Sequence, residues 1–242
     1  FIYSALPDAG EVRVLASDGG LRGCVDGLGR PTNLVVGLGR AYVADSAGHR
    51  VVGIDSENYS VMVERALPAA PYALALDSTA HRLYVGQMGT GMILALDAET
   101  LSLVDKVALE GLGYPGDLAL DAAAGRLYVA HALSPKYGAI SVVDTADMSV
   151  LATVWGNEES PLSGADTVSV DGRRGVVLLG QADGVVTLDA QSLVVRDLAR
   201  VSRGGWAGCL VIDPLEGTAY VAEDRGRLWS WQPVVGRERV RP

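Results

Sequence analysis

The sequence predicts an all-β chain folded as a β-propeller of four-stranded antiparallel blades, six in number, and three observations point that way. Thirty glycines and a single phenylalanine accompany many Val/Leu/Ala alternations, the pattern of short strands broken by frequent turns. The segments AYVAD, LYVGQ, LYVAH, VLLGQ and AYVAE return an aromatic residue or a leucine at positions 42, 84, 128, 178 and 220, at spacings of 42, 44, 50 and 42 residues. Around each return stands the same run of strands. Such a unit cannot bury both of its faces alone, so successive units pack face to face, and stacking around an axis is the usual result. A β-sandwich carries turn signals at similar intervals but does not require one strand quartet to recur five times.

The elements follow in order. Residues 1–28 form a partial blade in which IYSAL, EVRVLASD and LRGCVDGL read as second, third and fourth strands. Full repeats occupy about 31–66, 72–108, 115–155, 164–200 and 207–241, within one propeller domain spanning 1–242. Their first strands are NLVVG, LALD, LALD, VSVD and LVID, and their third strands RVVGID, MILALD, AISVVD, GVVTLD and RLWSWQ. SVMVERAL, SLVDKVAL, SVLATVW and SLVVRDL supply fourth strands. The C-terminal QPVVGRERV adds one strand, which either finishes the last blade or completes the first. A truncated seven-bladed ring is the alternative. Asp55, Asp77, Asp97, Asp121, Asp144, Asp171, Asp189 and Asp213 end strands in too many units to mark a site and read as turn formers.

Composition narrows the function. With 20 Lys plus Arg against 29 Asp plus Glu, the net charge of −9 disfavours nucleic acid, which needs a basic face. No window of eighteen apolar residues predicts a membrane span, and FIYSALPDAG lacks the basic-then-apolar layout of a signal peptide. The phosphate loop with its lysine, the Gly-x-Ser-x-Gly elbow, His-Glu-x-x-His and Cys-x-x-Cys are all missing. Cys24 and Cys209 belong to the first and last blades, where a disulfide would fasten the seam of a closed ring; Cα separations beyond about 7 Å forbid one. Asn58-Tyr59-Ser60 is a glycosylation sequon.

In a propeller, the loops leading into the innermost strands and those joining second to third strands share one face, the default site. Aligning the repeats places Asn33, Ala73, Asp117, Thr167 and Cys209 in one column, preceded by Thr32, Tyr72, Gly116, Asp166 and Gly208. The ends of the second strands give another: Asp45, Gln87, His131, Gln181 and Glu223, all polar. On a functional reading, Asn33, Asp117 and Asp166 offer oxygen ligands to a hard divalent cation such as calcium. His131 and Glu223 then serve as acid and base, and Asp45, Gln87 and Gln181 as polar binding groups. On the competing reading these residues cap the turns that follow them. Tyr72, Tyr114 and Trp206 occupy comparable loops and form an aromatic rim suited to a ring-bearing ligand. Trp229 and Trp231 alternate on one strand as inter-blade core, and Trp155 covers an edge.

Two stretches carry a resemblance. YVADSAGHRVVGID, at 42–55, is similar to the NHL repeat, and GRLYVAHALSPKYGAISVVDTADMSVLATV, at 125–154, with PYALALD and PGDLALD, resembles the YVTN group of propellers. The likeness covers about residues 31–232, with VLLGQADGVV departing from it in the fifth unit. It implies a propeller, makes His49 a packing residue and favours an extracytoplasmic location; His81 reads, from the STAHR stretch itself, as lying in an exposed turn. These groups include scaffolds, surface proteins, lyases and dehydrogenase subunits, so no single activity follows. Lactonase propellers hold a channel metal with a similar set of Glu, Asn and Asp; this chain has no matching glutamate at the start of an inner strand. The streptogramin lyases use His and Glu, which motivates the pairing of His131 with Glu223. The expectation is a non-catalytic binding or scaffold module for a protein or glycan partner. The alternatives are a metal-assisted hydrolase or lyase, and a propeller subunit of a larger assembly.

Overall fold

The computed structural model describes residues 1–132, 138–156, 162, 164–181, 184–200, 207–223 and 226–233. Among the described residues every regular element is a β-strand, and no helix is long and apolar enough to cross a membrane. The chain divides into two compact units, Phe1–Pro115 and Gly116–Pro242.

The first unit holds three antiparallel sheets. One has the order β1-β2-β3, built from β1 (Ile2–Leu6), β2 (Glu11–Leu15) and β3 (Leu21–Val25). The next two have four strands each. The second contains β4 (Pro31–Gly37), β5 (Arg40–Asp45), β6 (Arg50–Asp55) and β7 (Val61–Ala66); the third contains β8 (Pro71–Asp77), β9 (Arg82–Gln87), β10 (Met92–Asp97) and β11 (Leu103–Ala108). In the second unit, β12 (Pro115–Asp121), β13 (Arg126–Ala132), β14 (Gly138–Asp144) and β15 (Val150–Trp155) form one sheet. A further sheet has β16 (Thr167–Asp171), β17 (Val176–Gln181), β18 (Gly184–Asp189) and β19 (Val195–Arg200), and the last has β20 (Ala207–Ile212), β21 (Ala219–Glu223) and β22 (Leu228–Trp231). The strand proposed for QPVVGRERV falls mostly outside the described residues.

Burial explains the apolar runs. The central strands β5, β6, β9, β10, β14, β17 and β18 are buried along nearly their whole length, as sheets covered on both faces require, while β7 and β11 are largely exposed. One core cluster joins the second and third sheets through Tyr42, Leu74, Val85 and Leu96; another joins the fourth and fifth through Tyr128, Val142, Val177 and Leu188.

The turn aspartates act through their carboxylates. Asp97 accepts from the Glu99 and Thr100 amides at 3.1 and 2.9 Å, and Asp55, Asp77, Asp189 and Asp213 receive the same pair of donors in their own turns. Four residues past the aspartate, the chain turns left-handed at Tyr59, Leu101, Met148 and Leu193. Leu101, Met148 and Leu193 are buried there, so apolar burial offsets a conformation that side chains rarely adopt. His49 and His81 are also left-handed, and both are exposed; His49 is a turn residue and not the packing residue that the NHL resemblance implies. Trp231 packs against the core of its sheet, whereas Trp229 is exposed, which corrects the expectation that both are core. Trp155 is exposed at the end of its strand. Cys24 and Cys209 are free, exposed thiols.

Candidate binding face

The candidate site grows from how each inner strand begins. The ladders joining β4 to β5, β8 to β9 and β20 to β21 shift register between Pro31 and Asn33, Pro71 and Ala73, and Ala207 and Cys209. Thr32, Tyr72 and Gly208 are therefore the extra residues of bulges, and a bulge re-aims the side chain it carries. Tyr72 is 36% exposed; Thr32 turns its hydroxyl to the Ala44 carbonyl at 3.3 Å.

Polar residues at the ends of the second strands hold these loops in place. Asp45 stands opposite Pro31, and its buried carboxylate accepts from the Gly29, Arg30 and Gly48 amides at 3.0, 2.8 and 3.0 Å and from Arg50 Nε at 2.9 Å. Burial pushes its carboxyl up, but these donors together outweigh that and hold it below the usual range. Gln87, opposite Pro71, is buried and donates from Nε2 to the Ala69 carbonyl at 3.0 Å. Both side chains thus tie down the loop that feeds their own inner strand.

The same turn carries two tyrosine loops. Just past Gln87, the Met88 amide donates to the Ala70 carbonyl at 2.9 Å, and the Gly89 amide donates to the Gly113 carbonyl at 2.7 Å. Gly91 is left-handed and lies so close to the Leu112 and Leu109 carbonyls that no side chain fits there. Pro115 packs so closely over Gly86 that a side chain there would crowd its ring. Residues 69–72 and 112–115 are therefore fastened to one segment, residues 86–91, and present Tyr72 and the 51% exposed Tyr114 from a shared support. Trp206, the third member of the expected rim, lies outside the described residues.

In the second unit, Asp117 accepts three hydrogen bonds. It accepts from Thr167 Oγ1 at 2.9 Å, the Val168 amide at 3.0 Å and the Leu118 amide at 2.9 Å, and burial pushes its carboxyl up despite these donors. Its oxygens pin β12 to the start of β16. Three of the four lone-pair sites of the carboxylate are thus taken by the fold. Asp166 is half-buried just before β16, with its amide donating to the Gly180 carbonyl at 3.1 Å; Asn33 is half-buried in the first unit. His131 is fully buried, with Nε2 3.1 Å from Ser141 Oγ, which in turn lies 3.1 Å from Thr153 Oγ1 across the same sheet. Gln181 and Glu223 are buried at the corresponding strand ends.

One cluster escaped the sequence reading. Cys24 Sγ lies 3.3 Å from Glu11 Oε2 and 3.1 Å from Asp26 Oδ1, and desolvation together with those two carboxylates pushes its thiol up to about 12. The signal was the hairpin register, which sets Arg13 opposite Cys24. Two adjoining cavities in the second unit, of about 500 and 480 Å³, share Asp121, Ala124 and Gly172. They lie at the Asp121 end of β12, opposite the end where the loops lead into the inner strands.

Comparison with solved structures defines the class. The WD40 domain of Neurospora crassa Pan2 matches 93% of this chain and 71% of its own length, at a TM-score of 0.70 and 15% identity. Hydrazine synthase of Kuenenia stuttgartiensis matches 80% of this chain and 55% of its own, at a TM-score of 0.69 and 18% identity. The fold is a six-bladed β-propeller; at these identities nothing beyond the fold follows. In sequence, the chain is similar to the uncharacterized protein YncE of Salmonella typhimurium and of Salmonella typhi, each 31% identical over 90 residues, or 37% of this chain. That stretch is a quarter of the length of those relatives. No family model matches the chain.

Proposed function

We propose that the chain is a non-catalytic propeller module that binds a protein or glycan through the loops leading into its inner strands, alone or within a larger assembly. The observation that carries this reading is the contrast between the two kinds of candidate residue. Asp45, Gln87 and Asp117 satisfy backbone groups of the fold. Tyr72 and Tyr114 are exposed on loops fastened to a common turn. Rigid aromatic side chains with a polar tip suit recognition because little conformational entropy is lost when they are covered.

The test is quantitative co-purification from the source together with a glycan array, using the full chain and a Tyr72→Ala/Tyr114→Ala variant. A bound protein or glycan lost by at least tenfold in the double variant, with circular dichroism and melting unchanged, supports the reading. Undiminished capture by the double variant removes this face from consideration.

A further inference from the structure

Each unit contains one copy of a clamp between sheets. In the first, Tyr42 on β5 is buried and donates its hydroxyl to the Ala98 carbonyl at 2.8 Å, with Arg40 Nη1 on the same carbonyl at 3.3 Å. In the second, Tyr128 and Arg126 on β13 repeat this on the Ala190 carbonyl at 2.8 and 3.0 Å. The clamp is a demand of the fold, but the residues beside the second copy are not. β4 and β12 both run seven residues from a proline, so Asp121 stands where the first unit has Gly37. Gly172 and Ser78 each follow the aspartate that ends an inner strand, and Arg196 and Val104 are each the extra residue of a bulge in a fourth strand. A carboxylate and a guanidinium are therefore present where the repeat itself is satisfied by a glycine and a valine.

Asp121, Gly172 and Arg196 line a cavity of about 480 Å³ together with Arg126 and Tyr128, and it adjoins the cavity of about 500 Å³ on the Asp171 side. Asp121 Oδ1 accepts from the Ala124 amide at 3.1 Å, and the carboxylate rests so close over Gly172 that no Cβ fits there. Its Oδ2 accepts no hydrogen bond among the described residues. Arg126 is held by Nη1 on a neutral carbonyl, and among the described residues no carboxylate pairs with it. The neighbouring carboxylates are already matched: Arg196 Nη2 pairs with Asp189, and Arg174 Nη1 pairs with Asp171 at 2.6 Å. Arg173 is exposed. Asp121 and Arg126 thus remain as half-buried charges of opposite sign, each pinned by the backbone and unpaired with the other.

We infer that this cleft binds a small zwitterion of the amino-acid class, with its ammonium group on Asp121 and its carboxylate on Arg126. Two fixed charges that cannot close on each other are pre-organised for a molecule that carries both signs, and a cavity of several hundred Å³ suits a ligand of that size. None of these residues belongs to the loops of Tyr72 and Tyr114.

Isothermal titration calorimetry of the full chain against the twenty free L-amino acids, with the N-acetyl and carboxamide forms of any that binds, tests the inference. The expected result is a free amino acid with Kd below about 1 mM, weakened by about tenfold or more when either of its charged ends is blocked. Asp121→Asn and Arg126→Gln each weaken it by about tenfold or more, whereas Arg40→Gln, which cuts the matching clamp of the first unit, leaves the affinity unchanged. No binder below about 1 mM, a blocked form that binds as well as the free one, or affinity untouched by Asp121→Asn overturns the inference. If Arg126→Gln loses its circular dichroism signature, Asp121→Asn decides alone, because asparagine keeps an acceptor for the Ala124 amide.

Discussion

Replacing Asp45 with alanine distinguishes a loop anchor from a ligand group. The carboxylate receives three backbone amides and Arg50 Nε, at 2.8–3.0 Å, in a site closed to solvent. Arg50 keeps its bonds to Glu64 at 2.8 Å and to the Gly27 carbonyl at 2.9 Å, so its loss is partial, but the Gly29, Arg30 and Gly48 amides lose their acceptor. At about 1 kcal/mol for each of the three amides and about half that for Arg50, the variant is destabilised by about 3.5 kcal/mol. For a chain of this size, that lowers the melting temperature by about 7 to 14 °C. Asp45→Asn keeps one acceptor oxygen and loses about half as much. Urea titration and thermal melts followed by circular dichroism measure both. A shift below about 1 kcal/mol for Asp45→Ala would falsify the assignment of this carboxylate to the fold.

Three further outcomes follow from the hydrogen bonds. Tyr128→Phe costs about 1 kcal/mol, because Arg126 still satisfies the Ala190 carbonyl; removing both side chains costs more than the sum of the single changes, as a double-mutant cycle in urea shows. Stability falls on the acid side. The Ser192 amide, aided by Arg196, holds the Asp189 carboxyl down at about 2, and turn amides hold Asp55, Asp97 and Asp213 low. A depressed folded-state value contributes stability that is complete above the unfolded carboxylate value and disappears as pH falls through the folded one. The urea midpoint therefore drops between about pH 4 and pH 2, and Asp189→Asn flattens that slope. Finally, Cys24 alkylates slowly at pH 8 despite its exposure, since its thiol sits near 12, and Glu11→Gln with Asp26→Asn speeds the reaction; an unchanged rate in iodoacetamide labelling refutes the role of the two carboxylates.

The repeat was legible because it is written in the positions that every sheet needs. The tyrosine column fills the space between sheets, the strand-end aspartates hold turns, and both constraints return in most of the repeats. The bulge at Tyr72 was half legible. The alignment found its column but not the extra residue, because a bulge changes the register of hydrogen bonds without changing the alternation of residue types by more than one place. The long-range engagement of Asp117 was not legible: two of its three donors lie some fifty residues away on Thr167 and Val168. The Cys24 cluster depends in the same way on a cross-strand register that one hairpin sets.

Polarity alone therefore does not distinguish a strand-end group that serves the fold from one that serves a ligand. A buried carboxylate ringed by amides, as at Asp45, is where the fold has the strongest demand for that residue, and a group so engaged has no lone pair left for a ligand. Tyr72 satisfies no such demand. Gln87 ties down the loop that leads into its bulge, and no hydrogen bond of the fold depends on the Tyr72 ring among the described contacts. Its partial exposure is what supports the proposed reading of Tyr72 as a binding residue.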